Sequence, residues 1–204
     1  MALEQIDLSE AVDAVKAGGV IAFPTDTFYA LGVDAMNESA IRKAFDIKRR
    51  PANTPMPVLI SEHYQAEPLA KSFGHSSQVL AEQFWPGALT VVVPAAEDVP
   101  EVLTGGLDTV GLRMPNHELG LRLISETGCG LTGTSANISG DPPTKDWQTV
   151  ANAIGDELDA IVIGECGDAS AASTVVQIVD GEVRVLREGP ISIGEIESAL
   201  GRQT

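Results

Sequence analysis

Lys48-Arg49-Arg50-Pro51 concentrates positive charge on a chain that is otherwise strongly acidic. Together with Arg42 and Lys43 it holds five of the thirteen Lys and Arg residues, against 29 Asp and Glu and a formal net charge of −16. A basic cluster on such a background suits an anion, above all where a helix gives way to an extended segment and a loop presents side chains to a ligand. The plainer account is a solvated helix end whose cations answer the C-terminal dipole. That account is preferred for Arg42 and Lys43. The anion site is preferred for Lys48 and Arg50, because Pro51 stiffens the segment after the helix.

Three further segments carry polar chemistry at the ends of apolar runs. Phe23-Pro24-Thr25-Asp26-Thr27 leaves a buried strand, so Thr25 and Thr27 either offer hydroxyls to a ligand beyond the strand's carboxyl end or satisfy a local turn. The alternation in Thr109-Val110-Gly111-Leu112-Arg113-Met114-Pro115 puts Thr109, Gly111 and Arg113 on one face and three apolar residues on the other. On a face thinned by glycine, Arg113 suits a carboxylate or phosphate fork; a surface salt bridge is the competing account. The stretch from Leu131 to Gly140 is dense in hydroxyls and small residues, which lets backbone approach a ligand and cradle phosphate oxygens. It is too long for one polar turn, so the site reading is favoured. Ser173-Thr174 and Arg187-Glu188 are weaker signals; Arg187 is either a second cation for phosphate or one half of a hairpin-end ion pair.

Several other chemistries lack their residues. The sequence has no Gly-x-x-x-x-Gly-Lys-Ser/Thr loop and no Gly-x-Gly-x-x-Gly after a strand. No Gly-x-Ser-x-Gly elbow stands near His63, His75 or His117, and no group of His, Cys and carboxylates has metal-ligand spacing. Arg, Lys, hydroxyls and backbone remain, a set suited to catalysis by positioning and charge neutralisation.

The elements that must position these groups follow from periodicity. Helices are expected at Leu8 to Ala17, after the Asn37 cap through Lys48, at Ser76 to Trp85, Glu118 to Glu126 and Trp147 to Ile154, and after the Ser192 capping box. Strands are expected at Val20 to Phe23, Met56 to Ser61, Ala88 to Val93, Thr109 to Met114, Gly130 to Thr134 and Ala160 to Ile163. The pair Thr174 to Val179 and Val183 to Leu186 flanks an Asp180-Gly181 hairpin turn. Strands and helices interleave throughout, which predicts a single α/β domain over 1–204 with a twisted mixed sheet flanked by helices. The 204 residues, 44% hydrophobic and 21% charged, suffice for one sizeable core.

Taken in order, seven stretches resemble the threonylcarbamoyl-AMP synthase family, the YrdC-like proteins of transfer-RNA modification. They are Phe23 to Gly32, Lys48 to Val58, Phe84 to Thr90, Val110 to Pro115, Thr134 to Gly140, Ser173 to Val176 and Arg187 to Gly189. The resemblance implies a concave basic cavity and a reaction of L-threonine, bicarbonate and ATP that yields threonylcarbamoyl-AMP and pyrophosphate, with Mg²⁺ expected. By the same resemblance, Lys48, Arg50, Thr109, Ser135, Asn137 and Arg187 match ATP contacts, and Thr25 and Arg113 match threonine contacts. No residue need become covalently attached. Ala30 and Arg49 stand where glycine is common in the family, and Leu59 where some members have a threonine-contacting histidine. The length resembles the short, single-domain form.

The expected partners are the small substrates and the downstream transferase machinery of transfer RNA. Direct nucleic-acid binding is expected to be weak or absent, because phosphate would be repelled over most of an acidic surface. No apolar run approaches a membrane span, and the N-terminus lacks the pattern of a secretory signal. Cys129 and Cys166 suit a reducing compartment, so a cytoplasmic location is expected. Two competing functions are a carbamoyl-transfer domain related to hydrogenase maturation and a non-catalytic binder of double-stranded RNA.

Overall fold

The computed structural model describes residues 8–51 and 53–201. The reading of the extreme N-terminus and of Ala52 within the Lys48 to Val58 stretch lies outside the described residues.

Helix α1 (Leu8–Lys16) buries Leu8, Ala11, Val12 and Val15 on one stripe, and the chain turns away through Gly18 at φ 79°. Strands β1 (Ile21–Phe23) and β2 (Ala30–Gly32) then pair antiparallel across the PTDTF turn. Helix α2 (Glu38–Lys48) starts where the Asn37 side chain accepts the Ala40 amide, and Arg49 ends it in the left-handed region at φ 50°. Lys48 is therefore the last residue of this helix, where the periodicity placed its end.

Strand β3 (Val58–Leu59) and helix α3 (His75–Phe84) lead into β4 (Leu89–Pro94), the short α4 (Glu101–Thr104), β5 (Thr109–Arg113) and α5 (Glu118–Thr127). The expected strand at 130–134 is broken into β6 (Leu131–Thr132) and β7 (Thr134–Ser135), each paired with a different neighbour. Helix α6 (Trp147–Ile154), β8 (Ala160–Ile161), the hairpin β9 (Thr174–Val179) and β10 (Glu182–Arg187), and α7 (Ile193–Ala199) complete the order. Asp180 and Gly181 both take positive φ, 52° and 81°, the backbone that a two-residue hairpin turn requires.

The strands fall into two ladders, β7-β2-β1-β8 and β10-β9-β4-β5-β3-β6, both with parallel and antiparallel pairs. One mixed sheet was expected. The break after Thr132 produces two, and Thr132 ties them together: its amide donates to Val33 O at 2.9 Å and its hydroxyl to Leu31 O at 3.0 Å. The apolar face of β5, Val110 and Leu112 with Met114 beyond it, joins a core that includes Ile41, Phe45, Val58, Val91 and Val176. Truncating Leu112, which has no exposed surface, is worth about 2–5 kcal/mol. A second core on the far side of β1 packs α1 and α5 around Phe23 and Leu131. Among the described residues no helix is long and apolar enough to cross a membrane.

Candidate active site

The polar face of β5 is left for the opposite side, where strands of both ladders line one cavity of about 580 Å³. Thr109, Gly111 and Arg113 all reach its wall, as the alternation predicts. Arg113 is 5% exposed. Its Nε donates to Gly87 O at 2.9 Å, Nη1 to Thr27 Oγ1 at 3.3 Å and Nη2 to Asp26 Oδ1 at 2.5 Å. The salt bridge is thus real but buried, not on the surface.

Two more arginines arrive from distant segments. Arg50, two residues past α2, donates from Nη1 to Thr134 Oγ1 and from Nη2 to Pro55 O, each at 2.9 Å, while its buried Nε has no partner. Arg187, at the end of β10, donates from Nε to Ser173 O at 3.0 Å and from Nη2 to Ser173 Oγ at 2.9 Å. Ser173 Oγ lies 2.8 Å from Thr90 Oγ1, so the hydroxyls form a short relay behind the guanidinium. Burial draws both arginines below their ordinary range. Arg187 adds its repulsion to Arg50, and Arg113 adds its own to Arg187. Among the described residues, none that lines the cavity carries a carboxylate.

Lys48 lies elsewhere. It is 2% exposed, and its ammonium donates to Ser135 O, to Asn137 O at 2.8 Å and to Asn137 Oδ1 at 3.2 Å. Its own carbonyl accepts the Ser139 amide at 2.8 Å. Side chain and backbone together staple the 135–139 loop to the end of α2. Burial, with help from Arg50, lowers the Lys48 pKa to about 8. Within the loop, Ser135 Oγ donates to Asn137 Oδ1 at 2.5 Å and Asn137 Nδ2 to Asp141 O at 2.6 Å.

The sequence-derived residues therefore sort into two adjoining spaces. Thr25, Arg50, Thr109, Arg113, Ser135 and Arg187 line the main cavity. Lys48 and Asn137 line a shallower neighbouring hollow, whose wall shares Arg50, Ser135 and Pro143 with the first. The Thr25 hydroxyl also satisfies its turn, donating to Phe28 O at 2.8 Å and accepting the Thr27 amide at 3.1 Å. Arg42 forms an exposed pair with Glu38 four residues back, and Lys43 donates to Gly18 O at 3.0 Å; both stand apart from the site. Leu59 lines the cavity over Gly133, where an added Cβ would meet Leu59 Cγ at 2.6 Å.

Asp26, Thr90 and Thr134 belong to the site but were read only as parts of longer stretches, and Ser173 only as a weak signal. Asp26, Thr134 and Ser173 each bond an arginine from another segment and Thr90 bonds Ser173, so no local spacing marks them. Their one common signal is a short polar side chain at or beside a strand end.

A 580 Å³ hollow is ample for a small-molecule substrate. Three guanidiniums, with no carboxylate among the described residues of the wall, favour an anionic ligand or a transition state that gathers negative charge. Among the described residues no three His, Cys, Asp or Glu side chains converge to hold a metal.

Residues 13–189 match the Sua5/YciO/YrdC family, described as telomere recombination. The Pyrococcus abyssi threonylcarbamoyl-AMP synthase is 38% identical, over 98% of this chain and 58% of its own length. The Bacillus subtilis threonylcarbamoyl-AMP synthase is 37% identical, over 95% of this chain and 56% of its own. The crystal structure of P. abyssi Sua5 complexed with L-threonine superposes with a TM-score of 0.92 at 38% identity, covering 98% of this chain and 59% of that one. The chain thus spans a little over half the length of these relatives.

Proposed function

This chain belongs to the Sua5/YciO/YrdC family, and on that footing we propose that its cavity condenses L-threonine, bicarbonate and ATP to threonylcarbamoyl-AMP and pyrophosphate. One observation carries the reading: Arg50, Arg113 and Arg187, far apart in sequence, converge on a single hollow with no acid among the described residues of its wall, inside a chain of net charge −16.

Threonine's amine, as the free base, forms the N–C bond to the bicarbonate carbon with loss of water. The carbamate oxygen then forms a bond to the α-phosphorus as the bond to the leaving pyrophosphate breaks. Both partners are anions, so the barrier contains a large repulsive contribution that nearby cations remove. Arg113 takes the threonine carboxylate, with Thr25 at the neighbouring turn. Arg50 and Arg187 face the phosphates, Thr109 and Ser135 add hydroxyls to the nucleotide wall, and Lys48 with Asn137 shapes the loop that carries Ser135. Among the described residues the cavity wall has no Cys, Lys, Asp or Glu, which favours catalysis by positioning over a covalent intermediate.

A metal cage does not fit these residues. Mg²⁺ enters as part of the nucleotide substrate, held by phosphate oxygens and water, and no step runs through a protein-bound ion. The chain acts as one YrdC-like domain in the cytoplasm and hands its adenylate to transfer-RNA threonylcarbamoyl transferase machinery, with little or no nucleic-acid binding of its own.

The test is to incubate the purified protein with ATP, L-threonine and bicarbonate and to monitor pyrophosphate and a new adenylate. Release that needs both threonine and bicarbonate is expected. Release indifferent to either one overturns the reading.

A further inference from the structure

Among the described residues, Arg113 is the one cavity arginine that meets a carboxylate. Arg50 and Arg187 rest on neutral oxygens: Thr134 Oγ1 and Pro55 O for the first, Ser173 O and Oγ for the second. Arg113 is held by Asp26 at 2.5 Å, and both side chains are nearly sealed, at 6% and 13% exposure. A guanidinium has five N–H donors. Gly87 O, Thr27 Oγ1 and Asp26 Oδ1 take one each, which leaves one on each terminal nitrogen, the pair that a bidentate carboxylate uses.

We propose that Asp26 is a positioning residue that divides the cavity between its two substrates. It fixes the Arg113 fork for a singly charged carboxylate, and its negative charge beside that fork disfavours a polyphosphate there. Arg50 and Arg187, without such a counter-charge, are left to attract the triphosphate. The loop after β8 supports this placement. Gly167 N donates to Thr25 O at 2.9 Å, and Gly167 packs flush on the Asp26 backbone, where an added Cβ would lie 2.7–3.0 Å from Asp26 O, Cα and C. Only glycine lets that loop back the turn without moving Asp26.

The inference rests on the proposed function, so its test reads binding rather than turnover. Calorimetry measures L-threonine and ATP separately on the wild type, Asp26→Asn, Asp26→Glu and Gly167→Ala, with far-ultraviolet circular dichroism confirming that each is folded. Asp26→Asn is expected to weaken threonine by about tenfold or more, to leave ATP unchanged or tighter, and to make inorganic triphosphate compete with threonine. Asp26→Glu, which keeps the charge, should restore part of the threonine affinity. Gly167→Ala retains both charges yet shifts Asp26, and should weaken threonine alone. Should Asp26→Asn not fold, the glycine variant still decides the matter. Equal losses for both ligands, or threonine affinity unchanged in Asp26→Asn or in Gly167→Ala, overturn the proposal while leaving the enzymatic reading intact. A wild type that binds no threonine overturns both.

Discussion

Each cation of the site takes its character from its surroundings. Arg50 has two neutral acceptors and one buried donor without a partner, so an anion that reaches it supplies what the protein does not. Hydrogen bonds to charged groups contribute about 1.5–3 kcal/mol. Arg50→Ala should therefore weaken ATP roughly tenfold to a hundredfold in calorimetry with little change in threonine affinity. Lys48 allows a test by pH. Its pKa of about 8 in the folded chain lies below its ordinary 10.5, so between those values the unfolded chain binds more protons. The contribution of this group to stability must then rise with pH across that window. Urea midpoints of the wild type should climb from pH 8 toward 10.5 relative to those of Lys48→Met. Parallel curves would contradict the burial of a titrating ammonium.

At the scale of elements, α2 ends on a strained residue. Arg49 is exposed and sits in the left-handed region at φ 50°, a conformation that costs a residue with a Cβ about 1–2 kcal/mol. Arg49→Gly should raise stability by about 1 kcal/mol in urea unfolding and leave pyrophosphate release as it is. The family's common glycine at this position has its physical reason here. That departure was visible in the sequence; its cause was not. Strand β5 was legible because its alternation is strict, and the β9–β10 hairpin because Asp180-Gly181 admits few other conformations. Strand β2 was missed, since three residues inside a polar motif give no period to read. The split of β6 from β7 was also missed, because pairing with two strands far earlier in the chain, β3 for β6 and β2 for β7, decides it. Within the site, the face of Arg113 could be read but not its pairing with Asp26, 87 residues distant. Lys48 reads as an anion-holding cation, yet its ammonium is turned onto oxygens of the 135–137 segment, partners that no local spacing reveals.

For the whole molecule, 29 acids against 13 basic residues leave a surface that repels itself. The ion pairs Arg42–Glu38, Lys71–Glu97 and Arg122–Glu126 are exposed and offset little of this. Added salt screens the repulsion, with a Debye length that falls from about 10 Å at 0.1 M to about 3 Å at 1 M. The melting temperature should therefore rise between those concentrations of KCl; a fall would place the dominant charge interactions in attractive pairs instead. The same acidity gives the cavity its meaning, since its cationic wall is the exception that a substrate anion finds. The most direct test of that claim is a crystal soaked with L-threonine and a non-hydrolysable ATP analogue. Both molecules are expected together in the 580 Å³ cavity, the threonine carboxylate on Arg113 and the phosphates on Arg50 and Arg187. Threonine and nucleotide that exclude one another, or a triphosphate seated away from Arg50 and Arg187, would contradict it.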